Sequence, residues 1–373
     1  MRLFKKNKKQ DEAAVQAAGG RWNSLVGMGM STNQSLERRL YRELRERIPV
    51  IDAAVSKLIR LIGGFRIKCG SKENEADINA FLADIRVDGC GRGINSFISV
   101  QLGELLTYGT AVGEIVLDGS GKNIAGLYNA SLDDVEFVME GNPFDVKILA
   151  SDGFTKKPVK YPALIMCSTI LNEPGKIYGC SVLRGLPFVG DILGKIFNAV
   201  GTNWDRVGNV RFAVSYKPGE NDRSLSKERA KQIASEWSKA MKSSEPTDFI
   251  SVGDVDIKVI GADNQIPDSS VPARLMLEQI VAKLSIPPFL LGLNWSSTER
   301  MSAQQADILT SELEYYRRSL EGSIRKICTL YFALRGIKED FSIEWDNINL
   351  QDEVELAKAR LYNAQAMRLQ AGA

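Results

Sequence analysis

Ser285-Ile286-Pro287-Pro288-Phe289-Leu290-Leu291-Gly292 runs into Asn294-Trp295-Ser296-Ser297-Thr298-Glu299-Arg300 and then Ser302-Ala303-Gln304-Gln305; the reading of the fold turns on this stretch. The paired prolines cannot continue a helix, because each lacks an N–H and clashes with the preceding turn. They therefore stop a helix that spans 272–284 and carries Pro272 in its first turn. Residues 291–300 are dominated by Gly, Asn, Ser and Thr and read as a polar loop. Ser302 with Gln305 three residues later has the spacing of a capping box. Beyond it, Ala306, Leu309, Leu313, Tyr316, Leu320, Ile324, Ile327, Tyr331 and Leu334 recur at helical steps up to Gly336. A helix of that length spans about 50 Å. The chain thus places a shorter helix, a polar loop and a very long amphipathic helix in succession.

Upstream, Leu36, Leu40, Leu44, Ile48, Ile51, Val55, Leu58 and Ile62 form one helical stripe. Pro49 divides it into two helices or bends one, and Gly63-Gly64 ends it. Arg and Glu crowd the opposite face before Pro49. A strand at 65–68 and helices at 74–85 and 94–106 follow. Strands are read at 113–117, 124–128, 135–139, 146–149 and 163–167, with a turn at Asp118-Gly119-Ser120-Gly121. This part predicts an α+β domain with a mainly antiparallel sheet. Residues 181–206 read as an amphipathic helix whose Gly190, Gly194 and Gly201 share a face. Glycine costs a helix interior about 1 kcal/mol relative to alanine, so a glycine face suits close approach of another backbone. A β-α-β unit is read across 209–262, a strand at 341–345 and a final helix at 353–370. Residues 1–30 are rich in Lys, Gln, Ala and Gly and read as a flexible arm.

Composition narrows the chemistry. The 373 residues are 44% apolar and 25% charged, ordinary for globular protein, and length suggests two or three domains. With 48 Lys+Arg against 46 Asp+Glu, the net charge is only +2, so any contact with DNA is loose or uses locally segregated charge. There is no histidine, which removes His-dependent triads and His-based zinc sites. Five cysteines (Cys69, Cys90, Cys167, Cys180 and Cys328) form no CxxC and suggest no disulfide framework; a reducing compartment fits. No apolar run reaches the roughly 18 residues of a membrane span, and no secretory signal is read in the basic N-terminus. Gly194-Lys195 and Gly121-Lys122 lack the remainder of a phosphate-binding loop, and Gly89-Cys90-Gly91-Arg92-Gly93 reads as a turn. Asp133-Asp134 sits at a turn before a strand, and Asp254 and Asp256 alternate with Val255 and Ile257 like the wet side of a strand. Neither pair predicts a metal site, and without a histidine base Cys90 and Cys328 read as incidental thiols. No cofactor is expected and the chain reads as a non-enzyme. A metal-dependent DNA-processing enzyme and a scaffold or adaptor without a channel are the alternatives.

Four stretches, taken in order over about 300 residues, resemble the tailed-bacteriophage portal (head-to-tail connector) family: Ile48-Pro49-Val50-Ile51-Asp52-Ala53-Ala54-Val55 through Gly64, Leu105-Leu106-Thr107-Tyr108-Gly109-Thr110-Ala111-Val112-Gly113-Glu114-Ile115, Tyr178-Gly179-Cys180-Ser181-Val182-Leu183-Arg184-Gly185, and Ser285–Gly292 with the loop behind it. The resemblance implies a ring, typically of twelve subunits. Its parts would be a flexible arm (1–30), a wing (31–180 and 302–350), stem helices (181–208 and 263–290), a clip (209–262), a channel loop (291–301) and a short helical crown (351–373). It further implies a channel for double-stranded DNA in packaging and ejection, a place at the capsid vertex of the virion and assembly in the host cytoplasm. The implied partners are the terminase large subunit, the major capsid and scaffolding proteins and neck or adaptor proteins, with no membrane. On this layout Asn294, Trp295, Ser296, Ser297, Thr298, Glu299 and Arg300 form the channel loop. Lys195, Lys283 and Arg300 are candidate DNA-facing charges, and Gly190, Gly194 and Gly201 are candidate stem-packing positions.

Overall fold

The structure, a computed structural model, describes residues 34–142, 144–151, 155–208, 211–216, 228, 231–232, 234–235, 255–260, 268–293 and 299–348. The chain divides into two compact units. One comprises the described residues of Met1–Asp191 and Gln279–Ala373, the other those of Ile192–Glu278.

The first unit opens with α1 (Gln34–Arg47) and α2 (Pro49–Leu61). Pro49 stands at the start of α2, where its missing N–H has no helical partner to lose, so the stripe is cut into two helices. Leu40, Leu44, Ile48, Ile51, Val55, Leu58 and Ile62 are all buried; Leu36 alone stays partly outside. A strand, β1 (Phe65–Cys69), leads to α3 (Lys72–Asp84). Ser71 caps α3, and the Glu339 carboxylate accepts from both the Ser71 N–H and the Asn74 side chain. This anion sits at the positive end of the helix dipole. A short hairpin of β2 (Arg86–Val87) and β3 (Gly91–Arg92), not foreseen as strands, holds Gly89-Cys90 in its turn.

Next come α4 (Ile94–Tyr108), β4 (Thr110–Leu117), β5 (Ile124–Ala130), β6 (Val135–Met139), β7 (Val146–Ser151), β8 (Lys156–Pro158) and β9 (Ile165–Thr169). They form a five-stranded sheet of order β3-β2-β5-β4-β9 and a three-stranded sheet β6-β7-β8. All pairings are antiparallel except the single β2–β5 contact at Val87 and Leu127. The α+β reading with a mainly antiparallel sheet is what the structure shows. β4 starts three residues earlier than its sequence pattern, because Thr110, Ala111 and Val112 pair with Thr169, Ser168 and Cys167. The Asp118 carboxylate orders the β4–β5 turn by accepting from Ser120, Lys122 and Asn123.

The long helix is α7 (Glu299–Leu334), of 36 residues, about 54 Å at 1.5 Å per residue. Its predicted stripe from Ala306 to Tyr331 is buried throughout. The helix begins before the Ser302–Gln305 box, which therefore lies inside it. Glu299 and Arg300, expected in the loop, already stand in its first turn. The chain then returns as β12 (Phe341–Trp345), paired antiparallel with β1 from Phe65↔Trp345 to Cys69↔Phe341. The main core lies among α1, α2, α4 and α7. A second cluster of Val112, Leu132, Val135, Phe137 and Ile165 lies where the two larger sheets meet.

The helix expected from Ser181 is α5 (Leu186–Gly208). It starts later because Ser181–Gly185 are wound into turns that end in the left-handed backbone of Gly185. Only the first part of α5 belongs to the first unit. The second unit holds the remainder, then β10 (Arg211–Tyr216) and β11 (Val255–Ile260), an antiparallel pair, and most of α6 (Ser270–Leu284). The readings for residues 1–30, Asp254 and 351–373, and most of the helix between β10 and β11, lie outside the described residues.

Candidate functional site

The Pro-Pro stretch is a built turn. Ser285 takes a positive φ of 50°, and Pro288–Leu291 wind into one 3-10 turn closed by left-handed Gly292. The N–H groups of Leu290, Gly292 and Leu293 donate to Pro287, Phe289 and Pro288 at 3.1 Å. Leu284 and Ile286 are buried, and this anchors the turn in the first unit. The chain leaves it at Leu293 and re-enters helix at Glu299. Asn294, Trp295, Ser296, Ser297 and Thr298 fall outside the described residues, as do the side chains of Glu299 and Arg300. Lys195 on α5 and Lys283 on α6 are both exposed.

The glycines of α5 differ from one another. A Cβ on Gly190 would lie 2.5 Å from Ile48 Cδ1 and 2.9 Å from Leu44 Cδ1, so this glycine lets α5 seat on α1 of its own chain. Gly194 is buried, whereas a Cβ on Gly201 would meet nothing within 4 Å. Gly190→Leu is expected to overpack this contact and lower the stability of the first unit by about 1–3 kcal/mol in urea unfolding. Gly190→Ala should be nearly neutral, since its gain in helix propensity offsets the smaller clash.

Two of the motifs quoted above meet each other. Gly109 ends α4 in the left-handed region and lies against the backbone of Cys180. The Ile170 N–H donates to Gly109 O (2.9 Å), the Cys180 N–H to Ile170 O (3.0 Å) and the Gly179 N–H to Thr110 Oγ1 (2.9 Å). The Tyr178 hydroxyl accepts from the Phe137 N–H at 2.9 Å and ties this junction to β6.

Sequence reading missed Arg317. It lies on the buried side of α7, and its guanidinium donates to Ile62 O at 2.9 and 2.6 Å and to Asp346 O at 2.8 Å. It also lies 5.0 Å from the centre of the Trp345 ring. Burial pulls its pKa below the ordinary value, yet an arginine stays charged. Its location within an apolar stripe was the available signal.

Between α1, α2 and the end of α4 lies a cleft of about 600 Å³. Arg45 spans it, donating to Asp52 (2.6 Å) and Thr107 (2.8 Å), while Arg42 donates to the Tyr108 hydroxyl at 3.3 Å. Arg60 donates Nε to Ser56 O and makes no ion pair among the described residues.

The residue pairs weighed in the sequence for catalysis are not brought together among the described residues. No group of three or more Cys, Asp or Glu able to hold a metal is present among the described residues. Asp133, at the turn before β6, is held by Arg38 (3.0 Å) and Arg42 (3.5 Å). Burial pushes the Cys328 thiol up to about 12, far from a nucleophile's range. No helix of the described residues is long and apolar enough to cross a membrane.

No protein-family model and no curated protein matches the chain. Its fold is shared with a chain in the neck of a native gene transfer agent particle, computed with C12 symmetry. That likeness has a TM-score of 0.64 at 15% identity and covers 87% of this chain and 88% of the other. A chain in the neck of the empty particle, computed with C6 symmetry, gives a TM-score of 0.65 at 15% identity with the same coverage. A crystal structure of an HK97-family phage portal protein from Corynebacterium diphtheriae aligns at a TM-score of 0.46 and 12% identity, over 82% of this chain and 94% of that one. A likeness of that size bears no argument by itself.

Proposed function

We propose that this chain is the portal subunit of a tailed-phage-like particle: a non-enzymatic protein that assembles as a ring at a capsid vertex and surrounds the path of double-stranded DNA. One observation carries the reading. The fold matches, nearly end to end, a chain from a particle neck computed with twelve-fold symmetry. The four sequence stretches that resemble portals support it independently, and two of them are in mutual contact in the fold. On this reading the described residues of 31–180 and 302–350 are the wing, α5 and α6 the stem, β10 and β11 part of the clip, and 351–373 the crown. The channel loop is assigned to Asn294 through Arg300, with Arg300, Lys195 and Lys283 as DNA-facing charges and Gly201, whose added Cβ would meet nothing within 4 Å, open to a neighbouring stem. A net charge of only +2 suits a duplex that must slide, since every neutralised phosphate adds affinity. The terminase large subunit, the capsid and scaffolding proteins and the neck proteins are the partners proposed, with assembly in the host cytoplasm and residence in the virion.

The full chain, expressed with its capsid and scaffolding proteins, is the material for the test. Negative-stain microscopy should show annular particles, about twelve subunits by mass, with a central hole wide enough for a duplex. A monomer or dimer that persists at high concentration in that mixture overturns the reading.

A further inference from the structure

The hairpin of β6 and β7 ends in an unusual tip. Phe144 is 91% exposed, and Met139 and Val146, paired across the last rung, are 41% and 39% exposed. Burying a phenylalanine is worth about 1.5–3 kcal/mol, so this one is left where a partner can gain it. The tip is shaped by its own hydrogen bonds: the Asn142 side chain accepts from the Phe144 N–H at 3.1 Å, and the Glu140 N–H donates to Asp145 O at 2.9 Å. Glu140 is paired with Lys147. Asp145, beside Phe144, is exposed and its carboxylate has no partner among the described residues.

The α1–α2 cleft has the opposite character. Pro49, Ala53 and the Tyr108 ring give it apolar surface beside the Arg45–Asp52 ion pair, and Arg42, Arg60 and Glu46 also line it. Arginine planes and tyrosine faces are favoured surroundings for an aromatic ring. Its volume of about 600 Å³ leaves ample room for one phenyl side chain.

Tip and cleft belong to the same unit but do not coincide. Asp133, bonded to Arg42 near the cleft, is followed by β6, which carries the chain to Met139 at the tip. Its five residues span roughly 17 Å at about 3.3 Å each. A contact between one copy's tip and another's cleft is therefore heterologous, the kind that generates rings when the rotation closes. We infer that Phe144 of one copy inserts into the α1–α2 cleft of the next, with Asp145 meeting Arg60. The contact rests on the ring reading only for its closure. It supplies an aromatic anchor of the sort that dominates interface energetics.

The test pairs Phe144→Cys with Ala53→Cys in the full chain. Both positions are exposed, so neither change threatens the fold. Mild oxidation should give a ladder of linked multimers, with the peptide joining positions 144 and 53 identified by mass spectrometry. Phe144→Ala should reduce assembly on the order of tenfold or more. Asp145→Arg and Arg60→Asp should each weaken assembly, and their combination should restore it. Rings that form without the 144–53 link, or a link from position 144 to the shell protein instead, overturn the inference and leave the ring reading standing. Linked open oligomers without rings support the contact and overturn closure. Neither rings nor links overturn both.

Discussion

Gly109→Ala is expected to be the most damaging single-methyl change in the first unit, lowering its stability by more than about 4 kcal/mol. Two costs combine. Gly109 has φ of 81°, a conformation in which a Cβ costs about 1–2 kcal/mol. That Cβ would also lie 2.3 Å from the carbonyl carbon and 2.6 Å from the nitrogen of Cys180. These are backbone atoms and cannot rotate away. The 170–180 segment must move, and with it go the bonds from Ile170, Cys180 and Gly179. A loss of that size is most of the 5–15 kcal/mol that typically holds a domain together. Gly179→Ala should do similar harm through clash alone, its Cβ falling 2.2 Å from Gly109 O and 2.3 Å from Ile170 O. Gly121→Ala is the control. It has φ of 68° with nothing within 4 Å of the added carbon, so it should cost only the local strain, about 1 kcal/mol. Soluble yield and urea midpoints of the three variants check the ranking, and equal loss at Gly109 and Gly121 would refute it.

Arg317→Met should cost about 3 kcal/mol or more. The methionine retains much of the apolar stem but none of the donors, so Ile62 O at the end of α2 and Asp346 O beyond β12 both lose their charged partner. Ile62 is buried, and a buried carbonyl left unsatisfied costs about 1–3 kcal/mol; Asp346 is exposed, so its carbonyl adds less, and the lost packing against Trp345 adds the remainder. Arg317→Lys should recover only part, because a point charge cannot reproduce a planar fork reaching two carbonyls. Urea unfolding followed through Trp345, whose ring lies against the guanidinium, reads the change directly. A midpoint unchanged in Arg317→Met would show that water replaces the arginine.

The long helices and most strands were legible because their signals are local. Apolar residues at three- and four-residue steps placed α1, α2 and the body of α7, and Pro49 placed the break between the first two. Strand 341–345 was found to the residue. Its partner was not, since β1 and β12 are joined by tertiary packing and nothing in either pentapeptide encodes the other. The 3-10 turn at Pro288–Leu291 was covered by the general reading of a helix stop. Residues Glu299 and Arg300 were misassigned because a run of Ser and Thr looks like loop and like helix cap at once. Among the candidate site residues, Gly190 was read from its spacing as a place where another backbone approaches; in the structure it faces the Ile48 and Leu44 side chains. The surface it approaches, α1 of the same chain, was visible only in three dimensions. Arg317 stood unremarked because a charged residue within an apolar stripe reads as solvent-facing until its partners are located. Phe144 carried no periodic signal at all: its significance lies in an exposure that only the folded hairpin reveals.

The ribbon of β1 and β12 has a consequence for how the protein comes into being. Ser71 donates its N–H to Glu339, a separation of 268 residues, so the first unit is sewn shut by a segment that leaves the ribosome long after α1 to β9. Everything from α1 to β9 must wait, without α7 or β12 covering it, while the second unit is synthesised in between. Such long-range closure is slow, and the waiting intermediate exposes apolar surface to other nascent chains. Productive synthesis should therefore depend on chaperone holding until α7 and β12 have been made.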